Sequence, residues 1–444
     1  MSDASLSPTG APERRHKSLL TVDSRTARRN AAEKRFRFYG IGAILIGVFF
    51  IVVLAFSIIR SGLPAFTHTV VAVDFTLSEE GFAEAEGQLF KTKAYEGLLI
   101  EEIRGALEAE GISVSFDAAA IGRLLGKPGG TLRDHYRANA QDLGTPVRFE
   151  LAAASRVDGY LTGRVTRDTL QDSRFLEAGD LDLIDALVEA GIITRAFNWN
   201  FITGADSGVD NPGGAGIGAS VVGSLFMMLV VLVLSLPIGV AASIYLEEFA
   251  PQNRFTDLIE VNISNLAAVP SIVFGILGLA VFIQFMHLPQ SAPLVGGLVL
   301  TLMTLPTIII STRASLKAVP PSIREAALGV GASKMQTVFH HVLPLAMPGI
   351  LTGTIIGLAQ ALGETAPLLL IGMVGFVARG YPDGVVAGFT DPNSAMPAQI
   401  YTWAARADPS FYEKAWGGII VLLVFLLSMN ILAIILRRRF ERRW

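Results

Sequence analysis

Long stretches without a single charge dominate this chain and limit what it can fold into. Between Arg37 and Arg60 it reads "FYGIGAILIGVFFIVVLAFSII". A helix needs about 20 such residues to cross the hydrocarbon core of a bilayer. Comparable stretches occupy residues 212–246, 261–312, 340–363 and 415–436. The 261–312 stretch is long enough for two spans and breaks at "HLPQSAP", where His287 and two prolines suit a turn. Six transmembrane helices are therefore expected. The first apolar run is too long for a signal-peptide core and has no small-x-small cleavage site after it, so it reads as a retained span.

Charge orients these spans. Residues 1–38 carry nine Lys/Arg against four Asp/Glu, and the tail "RRRFERRW" carries five arginines against one glutamate. Basic residues near spans stay inside, so both termini are expected in the cytoplasm, and six spans put both on the same side, in agreement. Residues 61–215 then lie outside, and they are acidic, with 24 Asp/Glu to 13 Lys/Arg. The chain has no cysteine, which excludes disulfides, thiolate metal sites and thiol nucleophiles.

The expected organisation is a basic cytoplasmic tail over 1–37, without periodicity and disordered in its first 30 residues, and a first span over 38–60. A soluble acidic domain follows over 61–215. A five-span block covers 216–437, and a basic tail ends the chain at 438–444. Within the soluble domain "TVVAVDFTL" and "VRFELAA" read as strands. "YEGLLIEEIRGALEAEG" reads as an amphipathic helix ended by Gly111, and "DLDLIDALVEAG" as a short capped helix. This predicts a small α+β domain. Gly and Pro punctuate the later spans, as in "SLPIGVAAS" and "AAVPSIVFGILG". Such interruptions suit either a transport path or close packing of helices through small residues.

Two motif-like stretches carry no chemistry. "GRLLGKPGG", with Gly122, Gly126 and Lys127, has three residues between its glycines and Pro128 after the lysine, where a phosphate-binding loop needs four and then Lys-Ser/Thr. His340 and His341 in "FHHVLP" are adjacent on a helix, share no face, and have no third ligand near. No nucleophile–base pairing suggests a membrane hydrolase.

The stretch "STRASLKAVPPSIREAALGVGASKMQTVFHHVLPLAMPG" between the fourth and fifth spans is expected in the cytoplasm. It predicts a short helix begun at Pro321, a glycine turn, and a second helix "SKMQTVFHHVL" stopped by Pro344. Such an elbow serves either as a connecting loop or as a docking element for a groove on a partner. At this point a resemblance is specific. Glu325, Ala326, Ala327, Gly331, Leu343 and Pro344 fall at the spacing of the EAA motif of ABC-importer permeases, with His341 where isoleucine is usual. Residues 216–437 further resemble the PstA-type permeases of phosphate importers, through "GSLFMMLVVLVLSLPIGVAASIYLEEFAP", "AAVPSIVFGILGL", the loop 313–345 and "LGETAPLLL". The soluble domain resembles an insertion found in a subset of PstA-like proteins.

The resemblance implies an all-α integral membrane protein of the type I ABC-importer permease fold, with six transmembrane helices and a soluble α+β extracytoplasmic domain after the first span. It implies a non-catalytic subunit in a bacterial inner membrane, without cofactor or metal, whose loop, with Arg324 beside the motif, inserts into a separate ATP-binding cassette subunit. Its other expected partners are a second, PstC-like permease, a periplasmic phosphate-binding protein and membrane lipid, with no nucleic acid. An acidic soluble domain repels phosphate in bulk, so docking the binding protein or packing on the second permease suits it better than capturing the anion.

Glu364 in "LAQALGETAPLLL" is the single charge between Lys334 and Arg379. It lies twenty residues past Pro344, roughly 30 Å along a helix axis and so in the outer half of the membrane. Intramembrane carboxylates are costly and usually face a bundle interior or a water path. Glu364 thus either lines the substrate path with Gln360, Gly363, Thr365 and Pro367, or ties helices together as a hydrogen-bonded or neutral acid. Phosphate still carries a proton that a carboxylate can accept, whereas sulfate has none to offer. Many phosphate permeases have arginine four residues before this glutamate; here it is Gln360, one turn from Glu364 on a helix face. Three other readings are an ABC permease for molybdate or sulfate, a membrane sensor, and a secondary transporter. The sensor would need a cytoplasmic signalling domain, and the secondary transporter would need no ATPase.

Overall fold

The computed structural model describes residues 24–109, 118–126, 128–163, 166–167, 178–208, 212–373 and 381–440. The expectations for residues 1–23, for Gly111 as a helix stop, for Lys127 and for residues 441–444 lie outside these. Residues 1–57 and 58–444 form two compact units. The described part of the first belongs to helix α1, Ser24–Gly62. Its large apolar side chains, such as Phe38, Leu45, Phe50 and Leu54, are exposed, the condition of a helix suited to hydrocarbon.

The second unit begins with a layered α/β segment. Strand β1 (Thr67–Phe75) is followed by α2 (Lys91–Ala109), α3 (Gly129–Ala138), β2 (Val147–Ala152), α4 (Ala178–Glu189) and β3 (Ile193–Phe197). The sheet is antiparallel in the order β2-β1-β3, with Val71 opposite Leu151 and Val73 opposite Phe149. Alternation places these four side chains in one buried cluster. Helix α2 covers it with Tyr95, Leu99, Ile103 and Leu107, spaced every four residues and all buried. The β3 strand carries no sequence signal of comparable strength: only Ile193 is buried in it, as suits an edge strand.

The longer helices that follow, with a few short ones between them, build the membrane part. They are α5 (Gly218–Ile244), α6 (Arg254–Leu266), α7 (Ser271–Gly278), α8 (Pro293–Lys317) and α9 (Pro321–Gly329). Then come α10 (Leu343–Gly363), α11 (Ala366–Leu370), α12 (Met396–Ala404) and α13 (Pro409–Phe440). Among the described residues, five helices are long and apolar enough to cross a membrane, and the pair Arg254–Leu266 with Ser271–Phe285 makes a sixth when counted as one span.

That pair departs from the simple span expected from residue 261 onward, because it bends by 100°. Pro270 has no amide hydrogen and disfavours helix at Val269, so the chain turns there. The α6 half also carries Arg254, Asp257 and Glu260, so only its second half looked like a span. A second difference lies at Pro344, which was expected to stop a helix. Instead helix continues from Lys334 to Gly363. A π-turn over Val338–Val342 ends two residues before Pro344. The wider turn absorbs the donor that proline lacks.

Candidate functional site

The loop between α8 and α10 is a small folded element. Helix α9 opens with Pro321 in its first turn, where the missing N–H costs nothing. It closes in a Schellman turn: the Ala332 N–H donates to the Ala327 carbonyl at 3.1 Å, and the Gly331 N–H to Leu328 at 3.0 Å. Gly331 has φ 92°, a left-handed conformation that a Cβ would strain. The motif glycine is therefore the hinge of the elbow. Ser333 and Gln336 then form a reciprocal capping box that starts the next helix.

An apolar cluster fixes this element to the spans. Val338 and Val342 pack with Ile244 of α5 and with Leu316 and Val319 at the end of α8, and Ile323 and Leu343 pack against them. Ala327 is buried, whereas Glu325 and Ala326 are exposed. Beside them Leu328, Val330, Met335 and Phe339 are also exposed, an apolar surface set on a rigid support.

Ion pairs lock the same joint, and the sequence reading missed them. Arg324 donates to Glu248 Oε1 from Nη2 at 2.7 Å and from Nε at 3.1 Å. It also donates to the carbonyls of Val319 at 2.8 Å and Leu316 at 2.9 Å. Arg313 joins Glu247 at 3.3 Å to Glu260 at 2.6 Å, and Lys317 approaches Glu247 at 3.6 Å. Arg324 thus turns inward and ties α9 to the ends of α5 and α8. The pair Glu247-Glu248 at the end of an apolar run, facing Arg313 at the end of another, was the available signal.

The second group of residues lies at a helix end. Helix α10 stops at Gly363, and Glu364 is its C-cap, with extended backbone (φ −78°, ψ 129°). Pro367 explains the stop: in a continued helix it could not donate to Gly363, and its ring would clash with that carbonyl. Glu364 is thus not inside a continuous span but caps the last turn of α10, four residues after Gln360. Gln360 and Gly363 are exposed, Glu364 and Thr365 half-buried, and Pro367 buried. Among the described residues the Glu364 carboxylate has no hydrogen-bond or ion-pair partner. The structure also brings two apolar motifs together, because α11 packs on α7 across Gly275. A Cβ at Gly275 would lie 2.7 Å from Pro367 Cα, so glycine permits the contact.

The two stretches set aside in the sequence stay apart from both groups. Gly122 sits in the short helix Ala118–Leu124, and the Gly126 N–H donates to the Ala152 carbonyl at 2.9 Å. His340 and His341 are exposed side by side on the π-turn.

Comparison with known proteins places this architecture. Residues 235–444 match the family of binding-protein-dependent transport system inner membrane components, the permeases of ABC transporters. Residues 23–171 match a domain of unknown function, DUF3333. The probable ABC transporter permease protein YqgI of Bacillus subtilis is 30% identical over 244 residues, 53% of this chain and 82% of the relative. The phosphate transport system permease protein PstA of Mycobacterium leprae is 30% identical over 229 residues, 51% of this chain and 72% of the relative. The probable PstA of Methanocaldococcus jannaschii is 29% identical, over 56% of this chain and 83% of the relative. The chain belongs to the PstA-type permeases of this class, as a multi-pass, non-catalytic component of the inner membrane.

Proposed function

We propose that this chain forms half of the translocation pathway for inorganic phosphate in an ATP-driven importer. Its elbow over 313–345 docks into a separate ATPase subunit. Glu325, Ala326 and the exposed Leu328 and Val330 meet that subunit, and the ion pairs behind them carry its movement into α5 and α8. The observation that carries this reading is the two-sided build of α9: fivefold anchoring of Arg324 on one face and an exposed apolar surface on the other.

In this reading both termini are cytoplasmic and residues 61–215 are extracytoplasmic. A second, PstC-like permease supplies the other half of the path and a periplasmic binding protein delivers phosphate. Glu364, with Gln360, Gly363, Thr365 and Pro367, lines the path at the break between α10 and α11. Its unpartnered carboxylate accepts the O–H of a protonated phosphate in a short charge-assisted bond. Sulfate offers no such proton, so the carboxylate discriminates rather than attracts.

The test is phosphate uptake by Glu364→Gln and Glu364→Ala variants assembled with their partners at wild-type membrane abundance. Reduced uptake, with sulfate competing better than in wild type, supports the assignment. Wild-type uptake and unchanged exclusion of sulfate in both variants remove Glu364 from the path. Uptake of molybdate or sulfate in preference to phosphate by the unaltered complex reassigns the substrate.

A further inference from the structure

Helices α5, α10 and α13 enclose a groove of about 230 Å³ that the transport reading does not use. Leu232 and Leu236 line it from α5, Leu351 and Leu358 from α10, and Leu426 and Ala433 from α13. Among the described residues that line it, the polar side chains are Thr354 and Asn430, and the Thr354 hydroxyl is spent on the Ile350 carbonyl at 2.9 Å. From Leu351 to Leu362 the groove extends roughly 16 Å along α10. Leu229 and Val233 beside it on α5, and Leu427 and Ile431 on α13, are exposed apolar residues, so its mouth lies on a face suited to hydrocarbon.

One end of the groove is basic. Arg437 stands one turn beyond Ala433 on α13, and its Nη1 donates to the Thr352 hydroxyl of α10 at 3.1 Å. Its Nε is buried without a partner, which is costly for a guanidinium. Arg438 beside it is exposed. An apolar slot about half a bilayer long, with Arg437 at its end and Arg438 next to it in the chain, matches an acyl chain joined to an anionic headgroup. Zwitterionic lipid fills the slot equally well but gives the arginines no net charge to pair with. Free phosphate pairs with the arginines but leaves the slot empty.

We propose that this groove is a binding site for an anionic phospholipid, with one acyl chain between α5, α10 and α13 and its phosphate at Arg437 and Arg438.

The assembled transporter is placed in nanodiscs containing equal phosphatidylglycerol and phosphatidylcholine, and the lipid retained on partial delipidation is counted by native mass spectrometry. Wild type is expected to keep phosphatidylglycerol, undiminished by millimolar inorganic phosphate. The Arg437→Gln/Arg438→Gln pair should lower that retention about tenfold, since each arginine near an anionic headgroup is worth several-fold. Ala433→Leu, which narrows the slot and leaves both charges, should lower it as well. Equal retention of the two lipids by wild type overturns the proposal, as does displacement by free phosphate. So does a crosslink from Ala433 to a helix of another subunit, which would make the groove a protein interface.

Discussion

Removing Glu248 should loosen the elbow without touching its exposed apolar surface, the one proposed to dock. The Glu248 side chain is 9% exposed and that of Arg324 23%, so this pair is largely shielded from water. Deleting one member of such a pair typically costs about 3–5 kcal/mol. Arg324 would keep its bonds to the Leu316 and Val319 carbonyls and its partial contact with water, which puts Glu248→Ala near the lower limit. About 3 kcal/mol of lost local stability raises amide exchange in the protected part of 321–332 on the order of a hundredfold. Hydrogen exchange of the assembled complex reads this directly. In proteoliposomes the same variant should hydrolyse ATP while importing less phosphate per ATP, because the docked helix would no longer drag α5. The conservative Glu248→Gln keeps an acceptor oxygen and should fall between. Wild-type exchange and unchanged coupling in Glu248→Ala would refute the reasoning.

Other perturbations follow from the same geometry. Gly331→Ala places a side chain at φ 92° and should cost about 1–2 kcal/mol, seen as lower assembly with the ATPase at equal membrane abundance. Gly275→Val forces α7 away from Pro367, and should reduce the folded yield in a thermal-shift assay in detergent by more than Gly275→Ala does. In the segment around the three-stranded sheet, bonds from Arg133 and Lys91 lower the Glu86 carboxyl to about 2. A depressed acid adds stability that is present above its unfolded pKa near 4.5 and is lost as pH falls toward 2. Hydrogen exchange around α2 and α3 should therefore rise between those values, and Glu86→Gln should flatten that rise.

The legible part of this chain was whatever a period or a run of one residue type encodes. Charge-free runs announced the spans, alternation announced β1 and β2, and four-residue spacing announced α2. The EAA spacing located the elbow, because Gly331 meets a steric demand that no other residue meets as cheaply. What stayed hidden depends on tertiary pairing. Nothing local says that Arg324 turns inward to Glu248, which is 76 residues away. The bend before Ser271 was concealed because α6 changes from charged to apolar along its length. The helix end at Gly363 was in principle readable from Pro367, four residues on, but the apolar composition of the run masked it.

ATP-dependent uptake of phosphate by the purified complex in proteoliposomes decides whether this chain works in a phosphate importer. Labelled phosphate should accumulate only when ATP, the ATPase subunit and the binding protein are all present, with sulfate a poor competitor. Accumulation without ATP, or a complex assembled with all its partners that hydrolyses ATP and moves no phosphate, would contradict it.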